Sequence, residues 1–188
     1  MAKELSEMTL EELWQLFPIV LEAHNPEWML WYLEQKAQLK AALSHEGIVR
    51  ISHVGSTAIE TIHAKPIVDI LLELCPDCCM VNIHALLSSA GWICMNQGEE
   101  RMSFNKGYTK YGFAEKVFHL HVRFAGDNRE IYFRDYLMDH PDAAREYEML
   151  KLDLWKRYEH DRDGYTNAKT EFIERYTRIA LQEYMNRY

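Results

Sequence analysis

The sequence predicts an α/β fold: a mixed β-sheet in the middle of the chain, flanked by helices, with a helical C-terminal part. Three observations carry this. Val117–Phe124 alternates apolar and polar residues, the period of a half-buried strand. Pro66-Ile67-Val68-Asp69-Ile70-Leu71-Leu72-Glu73-Leu74 is almost continuously apolar, as in a central strand buried on both faces. Beyond residue 126, helical patterns replace strand patterns. The chain has 188 residues, 48% hydrophobic and 27% charged, which fits one globular domain. Within it we distinguish an N-terminal strand and helices (1–47), a sheet core (48–125) and C-terminal helices (126–188).

Thr9-Leu10-Glu11-Glu12 has the form of a capping box and starts a short helix. Phe17-Pro18-Ile19-Val20-Leu21 reads as a short strand. Asn25-Pro26-Glu27 opens a long amphipathic helix reaching about Ser44, with Trp28, Trp31, Tyr32, Gln35, Leu39 and Leu43 at helical spacing. Ile48–Val54 is β-branched and alternating, hence a strand, broken by Gly55-Ser56-Thr57. A helix from about Met80 to Ala90 ends at Gly91. Trp92–Met95 and Arg101–Phe104 read as strands. Three helices follow: Arg129 to Met138, Pro141 to about Tyr158, and about Tyr165 to the chain end.

The formal net charge of -8 argues against broad nucleic-acid binding, which needs a basic face to displace counterions. A local basic pocket for a small phosphate-bearing ligand stays open. No apolar run approaches the ~18 residues of a membrane span, so no membrane partner is expected. The start, Met1-Ala2-Lys3-Glu4-Leu5-Ser6-Glu7, is acidic and amphipathic rather than signal-like. A cytoplasmic location is therefore expected. Three of the four cysteines fall in Cys75-Pro76-Asp77-Cys78-Cys79, and Cys94 stands alone. The cluster lacks the second pair of a zinc site, and reduced thiols at a strand end are the simplest reading.

The candidate chemistry begins with Gly55-Ser56. A glycine at a strand end allows close backbone approach, so neighbouring donors can face an anion. Asp69 strengthens the signal, because a carboxylate inside an apolar strand is costly unless it is paired, ligates a metal or faces a cleft. Lys65 is a candidate partner. His119 and His121 alternate along one strand, which puts both imidazoles on one face about 7 Å apart. With Asp69 they make a possible transition-metal set. One of them could instead be a general base, or both could be structural. Tyr147 and Lys151, and likewise Tyr165 and Lys169, stand at i,i+4, which places an aromatic ring and an ammonium on one helix face. Tyr165 could stack a base or simply pack. Glu146-Tyr147-Glu148 and Glu159-His160-Asp161-Arg162-Asp163 read as solvated charge clusters.

The segments His53-Val54-Gly55-Ser56-Thr57-Ala58 and Ala64-Lys65-Pro66-Ile67-Val68-Asp69-Ile70 resemble the GrpB family, a branch of the nucleotidyltransferase-fold superfamily. The resemblance runs on through Phe118-His119-Leu120-His121-Val122, Phe133-Arg134-Asp135-Tyr136-Leu137, His140-Pro141, Tyr147, Lys151, Tyr165, Lys169 and Phe172-Ile173. It implies a nucleotidyltransferase-like fold whose Gly-Ser turn holds phosphates. In the superfamily two carboxylates, two residues apart on one strand, hold magnesium with a third from a later strand. Gly55-Ser56 matches the turn and Asp69 the first carboxylate, but Leu71 stands at the second. Glu73 lies about 13 Å from Asp69, too far to share one ion. The resemblance thus implies a nucleotide or phosphorylated small molecule as ligand, an NTP as possible substrate and Mg2+ or another divalent metal as possible cofactor. Catalytic and metal roles fall to Asp69, His119 and His121. Ligand contacts fall to Gly55, Ser56, Thr57, Lys65, Arg101, Arg134, Lys151, Tyr165 and Lys169. Two functions follow: nucleotidyl transfer to a small acceptor, or non-catalytic nucleotide or metabolite binding.

Overall fold

A computed structural model describes residues 3–185 together with 187 and 188. The first two residues of the acidic start, and Asn186, lie outside the described residues. Helix α1 is Leu10–Leu16, where Thr9 and Glu12 cap each other's backbone as the capping box requires. Helix α2 is Glu27–Ala42. The side chain of Asn25 accepts a 3.0 Å bond from the Glu27 amide at its start. Strands β1 (Ile48–Val54) and β2 (Val68–Leu74) come next, then helix α3 (Met80–Ser89). Strands β3 (Ile93–Gln97), β4 (Arg101–Thr109) and β5 (Gly112–Phe124) complete the sheet. Helices α4 (Arg129–Asp139), α5 (Pro141–Tyr158) and α6 (Arg162–Glu183) form the C-terminal part.

The strands form one five-stranded sheet in the order β1-β2-β5-β4-β3. β2 and β5 run parallel, and every other neighbouring pair is antiparallel. Pleating gives the two faces different chemistry. Ile51, Val68, Ile70, Leu72, Leu120 and Val122 turn toward α2 and α3 and join Trp28, Leu39, Ile83 and Leu87 in the main core. The intervening residues project toward the C-terminal helices. Register places Asp69 beside His119, Leu71 beside His121 and Glu73 beside Arg123. A row of ionisable side chains therefore lies on one face of the two central strands. α4, α5 and α6 close over this face through a second cluster that includes Phe133, Tyr136, Tyr147 and Tyr176.

Two strands are longer than their patterns predict. β4 and β5 extend past Phe104 and before Val117 into a hairpin closed at Thr109 and Gly112. One predicted strand is absent. Phe17–Leu21 buries Phe17, Ile19 and Leu21 alternately, as a strand would. However, Pro18 has no N–H to give, and the Ile19 amide bonds to the Glu159 carbonyl at 2.8 Å. Only the single bridge Glu22–Ala64 pairs nearby. The alternation is real, but no neighbouring strand lies alongside it. The last helix stops at Glu183, short of the predicted end.

Glu73 shows how a charge survives in this core. Its side chain is 1% exposed and meets Arg50 in a two-toothed contact at 2.5 and 3.0 Å. The Asn128 amide and the Gly126 N–H add bonds at 3.3 and 3.4 Å, tying the β5–α4 connection to β2. Cys75 and Cys78 are free thiols 3.1 Å apart, against Gly47. Among the described residues no helix is long and apolar enough to cross a membrane.

Arg50→Met strands a buried carboxylate. Because Arg50 is itself partly solvated, the loss should be about 2 kcal/mol, below that of a fully buried pair. Urea unfolding measures it, and a loss under about 0.5 kcal/mol would contradict this role.

Candidate functional site

A cavity of about 720 Å³ opens between the polar sheet face and helices α5 and α6. That volume is within the usual range for small-molecule sites. Gly55, Ser56, Asp69, His119 and His121 come from the sheet side, and Lys151, Tyr165 and Lys169 from the helices.

At the end of β1, Gly55 adopts φ 70° and ψ -173°, a combination open essentially only to glycine. A Cβ there would fall 2.3 Å from Asp69 Oδ2. The turn can therefore pass over the carboxylate only because residue 55 has no side chain. Thr57 lines the cavity but is almost fully buried. His53 Nε2 and Thr57 Oγ1 are 2.9 Å apart, and the Thr57 hydroxyl donates to the Ile67 carbonyl at 3.4 Å. Burial pushes the His53 imidazole down to about 4, so it is neutral, and it stacks on Tyr32 with centroids 4.9 Å apart. His53 and Thr57 thus buttress the turn from below.

Asp69 accepts from His119 Nδ1 at 3.2 Å, and His121 Nε2 stands 3.6 Å from the same oxygen. Burial works against ionisation here, but the two imidazoles overcome it and hold the carboxyl well below the usual carboxylate range. His119 goes the other way: burial lowers its proton affinity despite Asp69. Its Nε2 lies 2.7 Å from the Tyr108 hydroxyl, which in turn accepts from Arg162 at 2.9 Å. The network assigns one tautomer: Nδ1–H donates to Asp69 and Nε2 accepts from Tyr108. Both ring nitrogens of His119 are committed. Of the two histidines, His121 is the one left to meet a ligand.

This bears on metal binding. Magnesium chemistry of the superfamily type needs at least two carboxylates in reach of one another. Leu71 fills the second position, fully buried between Val54 and Ile131. Imidazoles favour transition metals over magnesium, and His119 has no free nitrogen to give. Among the described residues no group of three or more His, Cys, Asp or Glu is spaced to hold a metal ion. The donors left at the centre are Asp69 and His121, and they do not compose a two-ion site.

The cations of the cavity are more distinctive. The Lys151 ammonium donates to Ser56 Oγ at 3.1 Å and to the His63 carbonyl, and lies 4.9 Å from the Tyr147 ring centroid. Lys65 and Lys169 flank the Tyr165 ring at 5.3 and 4.3 Å. Tyr165 is 1% exposed, so it packs as a floor for the two ammonium groups instead of offering a face to a base. Its hydroxyl is buried without a partner. Among the described residues none of the three lysines forms an ion pair with a carboxylate. Burial, reinforced by the charges of Lys169 and Arg162, pushes Lys65 down to about 7. Burial and Lys169 do the same to Lys151, also to about 7, and burial lowers Lys169 to about 8 against the pull of Asp69.

Of the expected ligand contacts, one lies elsewhere and one stands at the edge. Arg134 is outside the cavity: it donates to the His53 carbonyl at 2.7 Å and pairs with Asp135 at 2.5 Å, fastening α4 to β1. Arg101 reaches only the rim, where it meets Asp127 at 2.6 Å. Conversely, Arg162 is no solvated surface charge, and Glu148 bonds to the amide and ring of His63 at 2.8 and 2.6 Å. Tyr108 was outside every predicted element. The turn-forming Gly112 was the one signal that the strand before it continues through residue 108.

The GrpB family model, described as GrpB protein, matches residues 18–178. A UPF0157 protein of Pseudomonas aeruginosa is 37% identical over 160 residues, covering 84% of this chain and 65% of that one. The chain thus spans just under two thirds of that relative, and 44% of the UPF0157 protein YqkA of Bacillus subtilis, which is 30% identical. Glutamate-rich protein GrpB of Alkalihalophilus pseudofirmus is 35% identical, and 83% of this chain and 92% of that one are covered. Among solved structures, conserved protein GrpB from Enterococcus faecalis superposes with a TM-score of 0.75 at 25% identity, over 88% of this chain and 99% of that one. The Cid1 poly(U) polymerase, solved with magnesium and 3'-dATP bound, gives a TM-score of 0.50 at 11% identity, over 85% of this chain and 51% of that one. That likeness concerns the fold, which is nucleotidyltransferase-like. With its family model matched over 161 residues and relatives above 30% identity, the chain belongs to the GrpB family.

Proposed function

We propose that this protein binds a nucleotide or another phosphorylated small molecule, with the phosphates against Ser56, Lys65, Lys151 and Lys169. The observation that carries this reading is the convergence of three lysines on one cavity, none of them in an ion pair with a carboxylate among the described residues. An ammonium group held away from water without a counter-charge is unfavourable, and the lowered proton affinity of all three expresses that strain. A ligand bearing several phosphate oxygens supplies the missing charge through charge-assisted hydrogen bonds. Gly55 lets the chain approach closely, and the unsatisfied Tyr165 hydroxyl offers one more donor beside Lys65 and Lys169.

Nucleotidyl transfer to a small acceptor is the second reading. It is supported by Asp69 standing against the Gly55-Ser56 turn and by the fold shared with a polymerase. Leu71 counts against it, because the acid missing there is the one that would complete the two-ion site. Binding therefore comes first.

One set of measurements tests both. Calorimetric titration with ATP and with inorganic tripolyphosphate should show saturable binding. Lys65→Met and Lys169→Met, which keep the side-chain bulk, should each weaken it tenfold or more, about 1.4 kcal/mol. Equal affinity in the variants, or no phosphate ligand bound at all, would defeat the binding reading. Pyrophosphate release from labelled NTPs with magnesium or manganese and a panel of acceptors would raise the transfer reading to first place.

Gly55→Ala probes the turn itself. Backbone strain of roughly 1–3 kcal/mol and a displaced Asp69 should lower both stability and ligand affinity. Wild-type behaviour in thermal unfolding and in the same titration would show that the turn tolerates a side chain.

A further inference from the structure

We infer that the cavity takes its oligophosphate ligand as the metal-free anion, with Lys65, Lys151, Lys169 and Arg162 standing where divalent cations would neutralise the phosphates. This rests on the phosphate-binding reading above and narrows it to a charge class.

The inference follows from where charge is already balanced. At the rim, Asp127 is taken by Arg101 at 2.6 Å and by Arg123 at 3.7 Å, and Glu130 is 3.6 Å from Arg123. At the centre, Asp69 is held by His119. Asp163 and Glu174, on the outer part of α6, are exposed to water. What remains inside is three ammonium groups and one guanidinium, none of them in an ion pair with a carboxylate among the described residues; Asp69 and Glu148 act on the lysines only from a distance. Arg162 is fixed by Tyr108 and is 5.5 Å from that ring centroid. At the centre of the cavity, a divalent ion arriving with the ligand would find one paired carboxylate, the apolar Leu71 where a second belongs, and four cations already in place; the unpaired Asp163 and Glu174 line only its exposed outer part. A free oligophosphate meets the opposite situation: its charge matches what the cavity lacks. The buried, unpartnered Tyr165 hydroxyl and the Ser56 hydroxyl add neutral hydrogen-bonding groups that need no metal.

A proton balance follows. The groups facing the lysines are Tyr147 and Glu148 on α5, Arg162, Tyr165, Asp163 and Glu174 on α6, Asp69 on β2, His119 and His121 on β5, and Tyr108 on β4. Arg101, Asp127, Arg129 and Glu130 stand at the mouth. Near pH 8 part of the lysine population is neutral in the free protein, because burial and mutual repulsion favour the neutral form. A bound polyanion favours the ammonium form, so its pKa rises and protons are taken up on binding. Affinity is then greatest below about pH 7 and declines as pH rises through 8 and 9. With ATP the ligand is not the source of this trend, since its single terminal phosphate has a second pKa of about 6 and its charge is constant there; tripolyphosphate, with two terminal phosphates, loses its last proton in this range and serves only at fixed pH.

The test uses the whole protein with ATP and tripolyphosphate as probes. Titrations of both probes are run in a chelator and in excess magnesium at pH 7.5, and those of ATP also at pH 9.5 and, at pH 8, in two buffers of different ionisation heat. We expect full binding in the chelator and at least tenfold weaker apparent affinity in magnesium. We also expect weaker binding at pH 9.5 and a net uptake of protons at pH 8, reduced in Lys65→Met. Binding that needs or is tightened by magnesium, or no proton uptake at pH 8, overturns the inference while leaving the phosphate reading intact. Failure of both probes to bind under every condition sinks the two together.

Discussion

The site is organised by one constraint: Asp69 must remain an anion in the central strand of the sheet. A carboxylate at that depth is stable only with donors fixed around it. The parallel pairing of β2 with β5 supplies them, because it sets His119 directly beside Asp69 and His121 one pleat further on. The hairpin supplies the next layer, since β4 must run as far as Tyr108 for its hydroxyl to fix the His119 ring. Arg162, at the first position of α6, completes the chain and anchors that helix over the cavity. Even the glycine of the turn is dictated by this carboxylate, whose oxygen occupies the space a Cβ would need.

The same anion makes a cluster of lysines tolerable. Asp69 is the one charge that raises the proton affinity of Lys65 and Lys169, against the burial and repulsion that lower it. Its pull falls short of neutralising them. Glu73 on the same strand makes the contrast plain. Two residues past Leu71 it has a dedicated arginine and two further donors, so it is spent on holding the β5–α4 connection. A carboxylate fully matched by its partners is structural, and a group of cations left unmatched points to a ligand.

Much of this could be read from the residue pattern. Asp69 stood out because a charge in an apolar run demands a reason, and the histidine pair because strict alternation fixes a common face. Lys151 and Lys169, which the resemblance singled out as ligand contacts, line the cavity. What could not be read was decided by neighbours distant in the chain. Phe17–Leu21 has the alternation of a strand, but a strand exists only with a partner, and its amide turned to a helix end. Arg162 sits in a run of charges that looks solvated, and only the packing of α6 against the hairpin turns it inward. Arg134 has the composition of a phosphate contact, yet its neighbour Asp135 and the His53 carbonyl claim it first. A sequence shows which side chains are charged; it does not show which are already paired.

Leu71 is where fold and chemistry part. The position faces the same side as Asp69 and could have presented a second carboxylate to the cavity. Instead it is sealed with Val54 and Ile131, so α4 packs down on the sheet just where a metal-binding acid would hold it away from apolar contact. An acid there would bury a charge beneath Ile131. The exchange of an acid for an apolar contact is therefore built into the helix packing and is not a local substitution. The lysines of α5 and α6 reach the opposite side of the same cavity, where neither Lys151 nor Lys169 has an ion-pair partner among the described residues.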